Sequence, residues 1–509
     1  MTDVERGFRD LSARLRDFHS LSTAAGLLEW DMEVLMPRAG GEARALQFGA
    51  VMRAAHEVLV SEETGRLVEA LAPAAAAASP DDAGAAAWRW AEREYRRRRR
   101  QPAAFVEELA AHTSRAQEVW ADARARKSFA AFRPELERML ELKRRQAEYV
   151  GVFADPYDAW LEEFEPGMTT AAVETLFAAL KPGLVALVDA VAGKARSSAP
   201  PLLAGSFPVD RQRVLGEEVA RAMGFDFERG RLDVSAHPFS AAISRDDVRL
   251  TTRYREDLPF GALYGVMHEA GHGLYEQGVG AELKHGPLCG GATMAAHESQ
   301  SRLWENLVGR GRGFWNRFAP RFGELFPQAA GLGAEALYRE ANRVERSFIR
   351  VEADELTYSL HILLRFDLER DLLAGRLRAA DLPEAWAAKS REYFGVVPPD
   401  DAYGVLQDVH WAAGLFGYFP TYAIGNMISV QLYDAAVKSG PGISAGLAAG
   451  DCSGLLGWLR ENVHRHGRKF GAEELVRRAT GGPISAAPYL DYLRAKYGEL
   501  YGLSSVAKP

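Results

Sequence analysis

The amino-acid sequence predicts a mainly α-helical protein with one small β-sheet, and three observations support this fold class. The 509 residues are 47% hydrophobic and 26% charged, a balance that permits a sizeable core and excludes a wholly disordered chain. Apolar residues recur at helical spacing through most of the first 200 positions. A period of two, which indicates a half-buried strand, is concentrated at positions 231–254.

The N-terminal part of the chain is predicted to be a series of helices. The first covers positions 8–36 and ends near Pro37 and a pair of glycines. Breaks rich in Pro, Gly or Asp separate it from the next helices, which are predicted at about 42–72, 85–100, 103–126, 130–152, 170–193 and 210–222. The alanine run at 74–78 is interpreted as a linker or helix end, and the five arginines at 96–100 as a solvated helix end.

The central part of the chain predicts a small hairpin followed by further helices. Apolar and polar side chains alternate at 248–254, as in a strand with one buried face. Longer helical periods follow at about 260–277, 293–309 and 334–374, the last of which ends at Gly375. Shorter helices are predicted from there to the end of the sequence.

The composition of the sequence limits which partners and which cellular compartment are expected for the protein. The 62 basic and 69 acidic residues give a net charge of −7, which argues against a dedicated nucleic-acid or anionic-membrane surface. Cys289 and Cys452 are the only cysteines and stand far apart, so any metal site must use His and carboxylates. Without a leader-like segment or eighteen uncharged apolar residues in a row, a cytoplasmic protein is expected.

A histidine-rich stretch gives the first indication of function, because five of the twelve histidines fall within 61 positions. This stretch contains His268-Glu269-Ala270-Gly271-His272, which matches the H-E-x-x-H pattern. Residues four apart share one face of a helix, so both imidazoles can bind one zinc ion. The glutamate between them is close enough to activate a water molecule. A predicted strand just upstream agrees with the strand-then-helix order of zincin active sites.

A catalytic zinc site needs a third protein ligand, and two known patterns for it are absent. Position 278 is Gly where a metzincin would have its third His, and the inverted order H-x-x-E-H does not occur. Glu298 on the following predicted helix is the remaining candidate, although it could instead pair with Arg302 on the helix surface. Arg302 also stands where a thermolysin-like site would carry Asp. His297 points about 100° away from Glu298, so only a supporting role is expected for it.

Positions 297–301 read H-E-S-Q-S, and here the sequence resembles the carboxypeptidase Taq family of helical zinc carboxypeptidases. Further stretches resemble family motifs in the same order, over nearly the whole chain. These are H-P-F at 237–239, D-V-R-L-T at 247–251, I-R-V-E-A-D at 349–354 and G-V-L-Q-D-V-H-W at 404–411. Shorter matches occur at 30–31, 36–37, 156–158 and 165–169, whereas positions 60–130 match no family stretch.

The resemblance implies a fold similar to that of neurolysin and angiotensin-converting enzyme. This fold is a two-lobed, mainly α-helical metallopeptidase with a deep central cleft and one small β-sheet near the active site. It implies a single catalytic unit over 1–509, in which a helical N-terminal part (about 1–225) precedes an active-site part (about 226–430) and C-terminal helices (about 431–509). It also implies one zinc ion per chain, which cobalt or manganese could replace, and a homodimer.

The activity that the resemblance implies is removal of single residues from peptides with a free C-terminus, with broad specificity. On this view His268, His272 and Glu298 bind the metal, and Glu269 acts as the general base. A peptide is expected to add as a strand along the edge at 247–254, main chain to main chain.

Two further residues are expected to stabilise the oxyanion. His410 with Tyr422 is the preferred pair and Tyr418 is kept in reserve, because related helical zinc peptidases place a His and a Tyr at similar spacing. Each of the three could equally be an ordinary core residue.

Three residues are candidates for holding the peptide itself. Arg350 could bind the terminal carboxylate through two parallel hydrogen bonds, or it could pair with Asp354 one turn further along a long helix. Arg249 is the second candidate, and its structural alternative is a pair with Asp247. His237 could bind the peptide backbone or simply fix the hairpin.

Two other functions remain open at this stage. An endo-acting oligopeptidase of the neurolysin type would use the same metal ligands without a carboxylate clamp, so C-terminally amidated peptides separate the two activities. A non-catalytic helical scaffold or peptide-binding protein would not need Glu269, and bound metal would argue against it. Peptides are the expected partners, with neither nucleic acid nor membrane among them.

Overall fold

The computed structural model describes residues 2–151, 153–194 and 201–503, and most of these residues are α-helical. The α-helices are α1 (Asp3–Val34), α2 (Gly41–Val60), α3 (Glu62–Ala77), α4 (Ala83–Arg99), α5 (Ala103–Ala125), α6 (Phe129–Val150), α7 (Asp158–Phe164), α8 (Thr170–Ala192), α9 (Val209–Met223), α10 (Gly261–Gly278), α11 (Met294–Arg302), α12 (Arg312–Leu325), α13 (Ala334–Ala341), α14 (Glu355–Leu373), α15 (Leu382–Phe394), α16 (Phe419–Ser439), α17 (Pro441–Ala448), α18 (Ser453–Asn462), α19 (Ala472–Thr480) and α20 (Ala487–Tyr501). The strands are β1 (Gly230–Val234), β2 (Ser240–Ser244) and β3 (Asp247–Thr252). The predicted fold class, mainly α with one small sheet, is confirmed.

The predicted N-terminal helices are present, but the stretch at 42–72 forms two helices instead of one. Ser61 lies between α2 and α3 in an extended conformation, and its hydroxyl accepts a hydrogen bond from the amide of Thr64. This N-cap begins a new helix where apolar periodicity alone suggests continuation. The alanine run forms the C-terminal end of α3.

The predicted helix over 334–374 is interrupted, so the prediction of one continuous helix is wrong. Helix α13 ends at Ala341, and α14 begins only at Glu355, after a short 3₁₀ turn at Arg350–Glu352. Asp354 is the N-cap of α14, because its carboxylate accepts hydrogen bonds from the amides of Leu356 and Thr357. Arg350 and Asp354 are therefore not one turn apart on a helix.

The sheet has the strand order β1-β3-β2. Strands β2 and β3 form the predicted antiparallel hairpin, and β1 pairs with β3 in parallel. Leu250 of β3, for example, lies opposite Leu232 on one side and Ser240 on the other. The expectation that a peptide adds along 247–254 is wrong, because both hydrogen-bonding sides of the central strand are occupied.

The chain divides into two compact units, each assembled from three segments. The first contains Met1–Arg98, Pro201–Ala341 and Ile428–Pro483, and the second contains Arg99–Pro200, Asn342–Met427 and Ile484–Pro509. In the first unit, α10 packs against β2, β3, α9 and α11. This central position buries most of α10, which carries the H-E-x-x-H motif.

Helix α8 is the core helix of the second unit and the one described helix that is long and apolar enough to cross a membrane. It packs against α14, α15 and α20 in that unit. Its buried residues, which include Phe177, Leu184 and Val188, face these neighbours as in an ordinary helical core.

Candidate metal centre and active site

The structure brings together the three predicted metal ligands. His268 and His272 lie one turn apart on α10, and Glu298 lies on α11. The Nε2 atoms of both histidines are 3.6 Å from Oε2 of Glu298. The two imidazoles keep 20% and 17% of their surface exposed, whereas the Glu298 carboxylate is buried. The ring edges are thus accessible while the acidic ligand is held in the interior.

A close approach of α10 and α11 places Glu298 beside the histidines. A Cβ atom on Gly271 would lie 2.7 Å from both the Gln300 carbonyl oxygen and the Ser301 Cα atom. Only glycine fits this contact, because the obstructing atoms belong to the backbone of α11. The hydroxyl of Thr293 caps α11 by accepting a hydrogen bond from the amide of Ala296, which fixes where that helix begins.

Glu305, which lies in a π-helical segment (Leu303–Gly309), contacts His268, the first of the predicted histidine ligands. Its Oε2 atom is 2.9 Å from His268 Nδ1, and Arg302 and Arg310 donate to the same carboxylate. Although burial opposes it, the charge of Arg302 and the hydrogen bond with His268 hold the pKa of Glu305 well below its usual range. Arg302 also donates to Glu298 over 2.7 Å, so it joins the two carboxylates instead of forming a solvated surface pair.

His297 contacts His272, the other predicted histidine ligand. His297 Nδ1 lies 2.6 Å from His272 Nδ1, and His297 Nε2 lies 2.7 Å from the carboxylate of Glu276. Burial, followed by the neighbouring imidazoles, lowers the pKa of His272 well below its usual value. His272 is thereby kept in the neutral form, which is the form that binds metals.

Glu269, the predicted general base, lies between His268 and His272 in the sequence, and its side chain is buried. Burial raises its pKa to about 7, partly offset by the charge of His268. A carboxyl group with a pKa near neutrality can both accept and return a proton, as a general acid–base residue must.

Arg350 pairs with Asp408 and not with Asp354, so the predicted structural alternative for this residue is wrong. Its Nε and Nη2 atoms donate to the same carboxylate oxygen of Asp408 over 2.9 and 2.8 Å, and Nη1 donates to the Tyr358 hydroxyl. Arg365 donates to the other Asp408 oxygen over 2.7 Å. The two arginines and one aspartate leave this buried cluster with an excess positive charge.

His410 and Tyr422, the preferred oxyanion pair, lie within hydrogen-bonding distance of each other. The His410 Nε2 atom is 3.3 Å from the Tyr422 hydroxyl. Tyr418 is also close, with ring centroids 5.7 Å from His410 and 5.2 Å from Tyr422. Burial and the charge of Arg350 lower the pKa of His410 to about 3, so its imidazole is neutral at neutral pH.

The two remaining candidates lie near the sheet. Arg249 makes a bidentate pair with Asp247, with both distances 3.0 Å, and its guanidinium lies 4.2 Å from the centre of the Trp30 ring. This is the structural pairing foreseen as its alternative. The His237 side chain is exposed, and its carbonyl accepts a hydrogen bond from Ser235, which fixes the backbone beside β3.

Comparison with known proteins identifies the family. Residues 10–497 match the profile described as carboxypeptidase Taq (M32) metallopeptidase. The chain belongs to this family. It is 41% identical to thermostable carboxypeptidase 1 of Thermus thermophilus, over 98% of this chain and 99% of that protein. It is 36% identical to carboxypeptidase 1 of Bacillus subtilis, over 98% of both chains.

Solved structures of carboxypeptidases share the fold. The M32 carboxypeptidase from Deinococcus radiodurans R1 superposes with a TM-score of 0.93 at 42% identity, over 98% of this chain and 100% of that chain. Trypanosoma cruzi metallocarboxypeptidase 1 superposes with a TM-score of 0.92 at 32% identity, over 97% and 99%. The chain is accordingly a metallocarboxypeptidase, a hydrolase that acts on peptide bonds.

The donor set fits the metal ion that an M32 enzyme requires. Among the residues that the structure describes, two imidazole nitrogens and one carboxylate oxygen lie close enough together to hold an ion. Metal–ligand bonds of ~2.0–2.1 Å put the ligand atoms of a tetrahedral site roughly 3.3–3.5 Å apart, and each imidazole lies 3.6 Å from the Glu298 carboxylate.

Sequence reasoning missed three partners of the predicted site residues. Glu305 follows Glu298 by seven residues, which is two helical turns, and this spacing could have indicated it. Glu276 follows His272 by four residues on α10 and carries the same kind of signal. Asp408 was part of a recognised motif, but its pairing with Arg350 across 58 positions had no local signal.

Proposed function

We propose that this M32 metallocarboxypeptidase uses zinc and removes single residues from the free C-terminus of peptides with broad specificity. The observation that carries the proposal is that two imidazoles each lie 3.6 Å from one buried carboxylate, beside a buried glutamate of raised pKa. Zinc has a high affinity for such a nitrogen-rich set. Cobalt and manganese remain alternative ions for the same ligands.

Glu269 is the proton carrier of the proposed reaction. When bound, zinc would supply Lewis-acid chemistry, lowering the pKa of water and polarising the carbonyl that is cleaved. Glu269 takes a proton from the attacking water and returns it to the leaving amine, for which its pKa of about 7 is suitable.

His410 and Tyr422 are assigned to the negative charge that develops on the carbonyl oxygen. The neutral imidazole and the phenol are fixed donors, and fixed donors stabilise an oxyanion without reorganising. Tyr418 remains the alternative phenol, since its ring packs against both residues.

Arg350 is assigned to the terminal carboxylate of the peptide. The Arg350–Asp408–Arg365 cluster carries two positive charges and one negative charge, so its net field attracts an anion. Arg249 is the second choice, because Asp247 already occupies its bidentate face. Main-chain pairing with the peptide is assigned to an edge strand, β1 or β2, since β3 pairs on both sides, and His237 is assigned to the peptide backbone.

The test is digestion of a mixed set of peptides, each supplied as the free acid and as the C-terminal amide. The proposal predicts a ladder of free-acid products that differ by one C-terminal residue, with the amides cleaved much more slowly. An endo-acting oligopeptidase would cut both forms at internal bonds. A non-catalytic peptide-binding protein would cut neither, even after loading with zinc.

Two properties of the whole protein are also proposed. Both cysteines are buried free thiols, which suits the reducing cytoplasm. A homodimer is proposed from the family resemblance, and sedimentation of the purified protein would test it. Fractionation of cells would test the location.

A further inference from the structure

The two histidine ligands of the proposed metal site are supported in different ways. His268 faces the carboxylate of Glu305 directly, as metal-binding histidines commonly do. His272 instead faces another imidazole, that of His297, and it is His297 that contacts a carboxylate, that of Glu276. Glu276, His297 and His272 thus form a chain of side chains that starts at a buried carboxylate and ends at the metal site.

The contacts of this chain assign the protons along it. A ligand histidine must leave one nitrogen free for the metal, and Nε2 of His272 is the atom that faces Glu298. Neutral His272 must then carry its proton on Nδ1, which donates to Nδ1 of His297 over 2.6 Å. His297 therefore carries its own proton on Nε2, which donates to Glu276 over 2.7 Å.

The end of this series of side chains that lies away from the metal site is anchored by the loop between α10 and α11, which contains Gly290 and Gly291. The amide of Gly291 donates to the same oxygen of Glu276 over 3.0 Å. A Cβ atom on Gly291 would lie 2.5 Å from the His297 ring, so the loop can close over the imidazole only because this residue is glycine. With both its neighbours as donors, the Glu276 oxygen is restricted to accepting hydrogen bonds.

We infer that Glu276 is a positioning residue, which acts through His297 to fix the tautomer and ring orientation of His272. The inference rests on the proposed zinc site, because it concerns how one ligand of that site is held. Glu276 touches neither the metal position nor a reacting atom. Its effect is to prevent His297 from presenting a donor toward Nδ1 of His272.

The test is a set of zinc affinities measured by competition with a chelator. Glu276→Ala removes the acceptor, and we expect it to weaken zinc binding by roughly 10- to 100-fold, as for other partners of metal ligands. His297→Ala should weaken it to a similar extent. In the double variant the two losses should not multiply, because Glu276 acts only through His297.

Glu305→Ala is the matched control, since Glu305 holds the other histidine. Combined with His297→Ala, its loss should multiply, because the two residues support different ligands. Glu276→Gln should retain most of the affinity, since the amide oxygen can still accept from His297 and Gly291. A visible spectrum of the cobalt-loaded variants would show the altered ligand geometry independently of affinity.

The outcomes separate this inference from the proposed zinc site. If Glu298→Ala leaves zinc affinity unchanged, the site itself is wrong. If Glu298→Ala weakens binding but Glu276→Ala does not, or if the losses of Glu276→Ala and His297→Ala multiply, the positioning role is wrong. Thermal unfolding of each metal-free variant shows whether it folds. Should Glu276→Ala fail to fold, Glu276→Leu, which removes the acceptor while it fills most of the same volume, replaces it in the comparison.

Discussion

Glu269 is a helical carboxylate whose environment differs from that of an ordinary surface carboxylate. It is buried beside the proposed metal ligands, and its pKa is raised to about 7. We expect Glu269→Gln to keep its zinc and lose about 10²- to 10⁴-fold in kcat, because proton transfer is removed while the ligands remain. Zinc content and turnover should be measured on the same preparation. Retention of more than about a tenth of wild-type activity would show that Glu269 is not the base.

Glu298 and His297 are neighbours in sequence with different expected roles, so they make a second comparison at the residue scale. Glu298→Ala should weaken zinc binding more than His297→Ala does. Glu298→Ala removes a proposed ligand of the metal, whereas His297→Ala removes only a side chain that holds the ligand His272. Competition with a chelator gives both affinities. The opposite ranking would overturn the assignment of Glu298 as the third ligand.

Local spacing explains which site residues the sequence could predict. His268, Glu269 and His272 were predictable from the H-E-x-x-H motif on a helix, and Glu298 from a motif on the next helix. The pairing of Arg350 with Asp408 could not be predicted in this way. The long apolar period concealed the N-cap at Asp354, and Asp408 lies 58 positions from Arg350. Pairing across such a distance depends on tertiary packing, which no local pattern contains.

At the scale of elements, the approach of α10 to α11 determines whether the ligands meet. Gly271→Ala should force the two backbones apart, since the new Cβ would lie 2.7 Å from backbone atoms of α11. We expect a loss of about 1–3 kcal/mol in the free energy of unfolding, as for other overpacked sites, together with weaker zinc binding. Urea unfolding of the metal-free protein measures the first effect and chelator competition the second.

Gly265→Ala on the same helix is the matched control for this prediction. Its Cβ would meet only the Thr252 hydroxyl, at 3.3 Å, so a small side-chain adjustment accommodates it. Alanine also favours the helix more than glycine does. Equal destabilisation by the two substitutions would show that Gly271 has no special role at the α10–α11 contact.

Helix α14 carries a buried carboxylate that makes stability depend on pH. Glu369 accepts hydrogen bonds from Tyr157, Trp411 and the amide of Gly417, yet burial raises its pKa to about 7. A pKa raised in the folded state means that the folded protein binds the proton more tightly than the unfolded chain. The favourable contribution of protonated Glu369 is therefore complete below about pH 4.5 and is lost as the pH rises toward 7.

Glu369→Gln should remove this dependence. The difference in unfolding free energy between wild type and variant should move in favour of wild type as the pH falls from 7 to 5, by a few kcal/mol at most. Urea denaturation at several pH values measures it. A difference that stays constant over this range would show that Glu369 titrates at its ordinary pKa in the folded protein.

The sheet shows what element patterns can and cannot predict. Alternation of apolar and polar residues at 248–254 correctly predicted a strand and its hairpin, because a period of two indicates a strand with one buried face. It could not show that β1 pairs in parallel on the other side, since strand order depends on how separate segments meet. The strand that was expected to pair with the peptide, β3, is therefore the central strand of the sheet.

At the scale of the whole molecule, fold and family were predictable from the sequence because motifs are spread in order along the chain. The match over residues 10–497 and the TM-score of 0.93 with a solved M32 carboxypeptidase agree with that expectation. The division into two compact units, each drawn from three separate segments, was not predictable. Contacts between distant segments define those units, and composition shows no boundary at their ends.

The central claim is that the enzyme acts at the C-terminus because Arg350 binds the free carboxylate of the peptide. The most direct measurement is a cycle of four kcat/KM values, for wild type and Arg350→Ala on one peptide and on its C-terminal amide. We predict that Arg350→Ala raises KM and lowers kcat on the free acid and matters much less on the amide. The coupling should be about 30-fold, or about 2 kcal/mol. Equal losses on both substrates would contradict the claim and show that Arg350 acts only structurally, through its pair with Asp408.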